Sequence, residues 1–166
     1  MRLILMAALA LALTGCSMFG GAKPQQMAKQ DHVLEFLDAG KPKAALVVAD
    51  ELVAEAPDDY RSYLTRNTVY LVLKDFPAAT ADNEKALQVF EANQNRYPQK
   101  ERAYRLAKIQ ESFALTALLA SRRATDPAER KRLEDEFEAR SAKVKELDQE
   151  TWINLRGIAG QPVEQK

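Results

Sequence analysis

The sequence predicts an all-α fold, and three observations carry that prediction. No stretch alternates polar and apolar residues as a half-buried strand does, whereas apolar residues recur at helical spacing through most of residues 27–156. Ala, Leu, Glu, Lys and Arg dominate the same region, and all are good helix formers. Helical runs are parted by breaks at Gly40–Pro42, Pro57–Asp59, Asp75–Pro77, Tyr97–Pro98 and Thr125–Pro127, each joining a stop signal to a start signal.

Six helices follow in order. The first runs from about residue 27 to Gly40. Pro42 opens the second, because a proline at the first helical position lacks only an N–H that has no intrahelical partner anyway. Asp58 and Asp59 stand at the start of the third, where a carboxylate caps free amide groups and favours the helix dipole. Asp75 and Pro77 mark the fourth in the same way. The fifth runs from Pro98 to about Arg123, and the sixth, with Asp126 and Pro127 at its start, to about Leu155.

Spacing between breaks is periodic. Pro42 recurs as Pro77 and Ala45 as Ala79, at intervals of 35 and 34 residues. In the second unit Tyr63 and Tyr70 take the aromatic positions of a first helix, Phe76 the turn, and Ala79 and Ala86 the small positions where paired helices touch; in the first, Phe36, Gly40, Ala45 and Pro57 fall into place. Residues 26–91 therefore resemble two tetratricopeptide repeats. Arg66 and Asn67 stand where that family prefers Leu and Gly, His32 stands where Leu is usual, and Leu52 replaces a small residue, so the repeats are degenerate.

The resemblance implies a tetratricopeptide-like α-solenoid of about two helix-turn-helix units over residues 27–96, capped by a long αα-hairpin over 97–156 and followed by a flexible tail, 157–166. In that hairpin Leu106, Phe113 and Ala117 are expected to face Leu133, Phe137, Val144, Leu147 and Trp152. The first helices of such units line a groove, which would set Met27, Gln30, Leu34 and Leu37 beside Arg61, Leu64, Thr68, Leu71 and Val72. That is more apolar surface than one neighbour buries. Either the hairpin covers it, the favoured arrangement, or a partner helix or peptide docks there.

At the amino terminus Arg2 precedes an apolar run from Leu3 to Leu13, too short to span a bilayer, and the run closes on Leu13-Thr14-Gly15-Cys16. This resembles the lipobox of a bacterial lipoprotein. The resemblance implies a cleaved signal peptide, residues 1–15, lipid on Cys16, and a flexible leash over 16–26. Ser17, where Asp would favour retention in the inner membrane, implies the periplasmic face of the outer membrane in a Gram-negative host. Several acyl chains make such an anchor durable, since each buried methylene contributes about 0.8 kcal/mol.

Charge and composition exclude more than they select. The chain has 24 basic and 24 acidic residues, and nothing in that balance points to nucleic acid. Cys16 is the only cysteine, so no disulfide is expected. His32 is the only histidine, and it lacks companions for a metal set. There is no Gly-rich phosphate loop, nucleophile elbow or Cys/His pair, so no catalytic residue, metal or cofactor is expected. Arg96, Lys100, Arg102, Arg105 and Lys108 read as a solvated basic face; the alternative is a face for anionic head groups or acidic partners. Arg130–Glu134, Lys131–Asp135, Arg132–Glu136 and Glu136–Arg140 are four apart and should pair along a helix. Together these features predict a non-catalytic envelope scaffold for another protein or peptide. The alternative is a structural lipoprotein that self-associates into a homo-oligomer through the 98–155 hairpin.

Overall fold

The computed structural model describes residues 24–161 and residue 163; the expected signal, Cys16 and most of the leash lie outside them. The described residues form α1 (Pro24–Asp38), α2 (Pro42–Glu55), α3 (Tyr60–Leu73), α4 (Phe76–Asn93), a short 3₁₀ turn (Gln94–Arg96), α5 (Gln99–Ser121), α6 (Pro127–Leu147) and α7 (Gln149–Ile158). The fold is all-α, as expected, with three boundary corrections. The leash was expected to reach residue 26, yet α1 begins at Pro24, and α7 extends past residue 157 into the expected tail.

The third correction matters most. The expected continuous helix from Pro127 to Leu155 is two helices, split at Asp148. Asp148 adopts φ −156° and ψ 111°, its N–H closes α6 on the Val144 carbonyl at 2.8 Å, and its carboxylate accepts the Thr151 N–H at 2.8 Å to start α7. One residue thus ends one helix and caps the next. Those bonds to the backbone N–H and the hydroxyl of Thr151 hold the Asp148 carboxyl below its ordinary range. Asp148→Ala should cost about 1 kcal/mol by the usual worth of a helix cap, measured by urea denaturation. Because the folded pKa is depressed, the stabilisation is present above the ordinary carboxylate range and lost as pH falls through the folded value. The gap between wild type and Asp148→Ala should therefore narrow in strong acid.

The remaining caps follow the expected signals. Asp59 accepts the Arg61 N–H at 3.0 Å, Asp75 the Ala78 N–H at 3.1 Å, and Asp126 those of Ala128 and Glu129 at 3.2 and 3.3 Å. Asp58 turns away to meet Arg96 at 2.8 Å. Pro42 and Pro127 sit first in their helices and Pro77 second, behind Phe76. Gly40 has φ +67°, the left-handed turn that ends α1 with its N–H on the Leu37 carbonyl at 2.9 Å.

Each helix packs on its neighbours in sequence, and α1, α3, α5 and α7 also touch in succession, so the odd-numbered helices lie side by side. No two even-numbered helices pack extensively among the described residues. Three apolar clusters follow one another along this stack. Val33, Ala45, Ala49 and Val69 join α1, α2 and α3. Tyr60, Tyr63, Ala86, Val89, Phe90, Tyr97, Ile109 and Phe113 join α3, α4 and α5. Ala107, Ala114, Ala117, Phe137, Val144 and Leu155 join α5, α6 and α7. Each cluster spans three consecutive helices, the local packing of a repeat-like solenoid. The expected hairpin pairing needs amending here. Phe113 and Leu106 turn toward α3 and α4, leaving Ala117 with Ala107 and Ala114 to meet α6 and α7.

Candidate functional site

The expected groove exists between α1 and α3, smaller than the sequence implied. Gln30, Leu34, Arg61, Leu64, Thr65 and Thr68 line a shallow pocket of about 280 Å³. Leu34 is 51 % exposed at its edge. Arg61 is pinned across Asp59 by contacts of 2.6 to 3.2 Å, and Thr68 donates to the Leu64 carbonyl at 3.1 Å. Leu64 is half-buried against the central cluster.

Four expected groove residues do not line the pocket. Leu37 packs half-buried against the first cluster, on Val33 and its neighbours rather than in the pocket. Leu71 is half-buried, and Val72 is exposed beyond the pocket, as is Met27. The hairpin does not cover this surface. The Asp148 break sends α7 against α5, where Leu155 joins the cluster of Ala107, Ala114 and Ala117 and Trp152 packs on it, and Leu34 and Val72 are left in solvent.

The two departures from the repeat pattern, Arg66 and Asn67, are polar connectors. Arg66 reaches from α3 to Asp82 of α4 at 2.7 and 2.9 Å and to Asp50 of α2 at 2.9 Å. Those bonds raise its guanidinium pKa above the ordinary value, the bond to Asp82 first, so it is cationic throughout the working range. Asn67 donates to the Ala79 carbonyl at 2.7 Å, and Asn83 donates to Thr116 Oγ1 at 2.9 Å. Ser112 Oγ lies 3.0 Å from Asn67 Oδ1 and 2.7 Å from Asn83 Oδ1, its single proton serving one or the other. Both asparagines are buried, so α3, α4 and α5 are locked by a polar network as well as by packing.

A second, larger concavity was not legible in the sequence. Between α4 and α6 lies a cleft of about 710 Å³. Its floor is Phe113, Thr116, Ala117 and Ala120 of α5, and its walls carry Thr80, Ala81 and Glu84 on one side and Arg132, Leu133 and Glu136 on the other. It forms because α4 and α6 flank α5 without packing extensively on each other.

The basic run is largely structural. Arg105 lies over the Tyr97 ring at 4.3 Å and reaches Glu101 at 2.7 Å, Arg102 donates to the Tyr97 carbonyl at 3.1 Å, and Arg96 is paired with Asp58. Arg96 and Lys100 remain exposed, as expected of a solvated face, while Arg102, Arg105 and Lys108 are half-buried. Of the expected pairs on α6, Lys131–Asp135 forms, as do Arg132–Glu136 at 3.4 Å and Arg140–Glu136 at 3.9 Å. Arg130 instead donates to the Ala124 carbonyl at 2.7 Å. His32 stacks on Phe36 with ring centroids 4.6 Å apart. Among the described residues no group of three His, Cys, Asp or Glu is placed to hold a metal ion, and no helix is long and apolar enough to cross a membrane.

No protein-family model matches the chain, and neither a curated protein nor a solved structure does.

Proposed function

We propose that the protein is a lipid-anchored scaffold on the periplasmic face of the outer membrane, where it binds another envelope protein or peptide without catalysing a reaction. Leu13-Thr14-Gly15-Cys16 carries this reading, because small residues followed directly by cysteine suit lipid attachment rather than plain secretion. The helical stack supports the second half. Two of its concave surfaces are lined by mixed apolar and charged side chains that suit a docked segment better than a reacting substrate.

Cys16→Ser should move the protein from the membrane fraction to the soluble fraction and leave its helical circular dichroism unchanged. Unaltered fractionation would count against the anchor. The alternative, self-association through the hairpin, predicts a concentration-dependent dimer of the detergent-solubilised protein in light scattering; a monomer at every concentration would remove it.

A further inference from the structure

The gap between α2 and α4 is spanned by Arg66, which rises from α3 to bond Asp50 on one wall and Asp82 on the other at 2.9 and 2.7 Å. The next gap of this kind, between α4 and α6, has no such side chain. Here α5 supplies Phe113, Thr116, Ala117 and Ala120, and the cleft of about 710 Å³ remains. The interval of 34 residues that relates Ala45 to Ala79 also relates Ala49 to Asn83 and Leu52 to Ala86, and every member of these pairs is 0 % exposed. At the same interval Asp50 corresponds to Glu84. Glu84 thus holds on the second gap the wall position that Asp50 holds on the first, and it is exposed with no ion-pair partner among the described residues.

The charges around the cleft have a direction. Glu136 stands on the opposite wall, and Arg132, the cation of that wall, is already engaged by Glu129 at 2.8 Å and Glu136 at 3.4 Å. The contact of Asn83 with Thr116 sets Glu84 at the Phe113 end. Arg123, two residues past the end of α5, lines the other end of the cleft, about 15 Å from Phe113 by helical rise. The guanidinium nearest the Phe113 end named by these contacts is that of Arg140, 4.0 Å over the Phe113 ring and engaged by Gln110 at 3.0 Å and Glu136 at 3.9 Å. Among the described residues Glu84 therefore has no ion-pair cation at that end and Arg123 no ion-pair carboxylate at the other. Ala81, Ala117 and Ala120 keep floor and wall low enough for a backbone to approach.

We propose that the cleft between α4 and α6 receives an arginine-bearing helical segment of a partner protein, its guanidinium taking beside Glu84 the place that Arg66 takes beside Asp50. The proposal rests on the scaffold reading for the occupant being a protein. The length of the cleft along three helices suits a segment of two to three turns, and a planar guanidinium suits a carboxylate wall better than a lysine ammonium does.

The test uses the intact lipoprotein in nanodiscs of neutral phosphatidylcholine, with empty nanodiscs as the blank. A labelled Ala/Leu helical peptide of about twelve residues, matching the two to three turns above, carries one central Arg; its twins carry Gln or Glu there. Anisotropy should show the Arg peptide binding at least tenfold more tightly than either twin. Glu84→Gln should erase that preference while the urea midpoint stays in place, since Glu84 is exposed. Equal affinities for the three peptides, no saturable binding by any, or a preference that survives Glu84→Gln would each overturn the proposal. Displacement by spermidine or arginine amide at peptide-like concentrations would assign the site to a free cation and also overturn it. None of these outcomes bears on acylation of Cys16, which is read by mass, so failure at the cleft and failure of the anchor are distinguishable.

Discussion

Phe113→Ala should destabilise the protein by about 4 kcal/mol, the middle of the range for removing a buried aromatic side chain. Phe113 is 4 % exposed and lies near the middle of α5, where it belongs to the cluster built by Tyr60, Phe90 and Ile109. The guanidinium of Arg140, from α6, sits 4.0 Å above its ring. One side chain therefore joins α3 and α4 to α6 through α5. In a stack where each helix depends on its neighbours, removing that link lowers cooperativity as well as stability. Urea unfolding of the detergent-solubilised protein should show a lower midpoint and a broader transition, with Leu34→Ala, at an exposed site, changing stability by less than about 0.5 kcal/mol. A loss below about 1 kcal/mol at Phe113 would mean that α5 does not couple the two halves as the packing implies.

Asn67→Ala and Asn83→Ala should each cost about 2 to 3 kcal/mol, because each strands buried hydrogen-bonding partners. Asn67 and Asn83 are 1 % and 0 % exposed, and both meet Ser112 and Thr116 on α5. Their effects should not add. Once one asparagine is gone, the Ser112 proton serves the other alone, so the double variant should fall short of the sum by about 1 kcal/mol, within the range for residues of one network. Additive losses would show that the two asparagines act separately.

Which parts of this arrangement the sequence announces depends on how local their causes are. Pro42, Pro77 and Pro127 act on their own helix starts, and Asp59, Asp75 and Asp126 on amides two or three residues away, so those boundaries were legible. The Asp148 break was not, since Leu147-Asp148-Gln149 contains no proline or glycine and interrupts a run of good helix formers. The spacing of Asp148 and Thr151 was the available signal, and the same spacing occurs within helices where no break follows. Arg66 and Asn67 were visible as departures from a repeat, yet their purpose lies in Asp50, Asp82, Asn83 and Ser112, 16 to 45 residues away.

The sites divide in the same way. Leu34, Arg61, Leu64 and Thr68 share a pocket between α1 and α3, because repeat spacing fixes which turns of two helices meet. Leu37 lies outside that pocket, since on a fifteen-residue helix the positions of Leu34 and Leu37 differ by less than a turn while one faces solvent and the other packs half-buried on the first cluster. The cleft between α4 and α6 depends on what α5 lacks, a long side chain between two walls. A missing side chain leaves no motif.

The proposed lipid on Cys16, which would tether this helical stack, is read from the intact mass of the protein extracted from membranes. The expected species begins at Cys16 and is heavier than its polypeptide by covalently bound acyl groups. A chain that begins elsewhere, or one whose Cys16 carries no lipid, would contradict it.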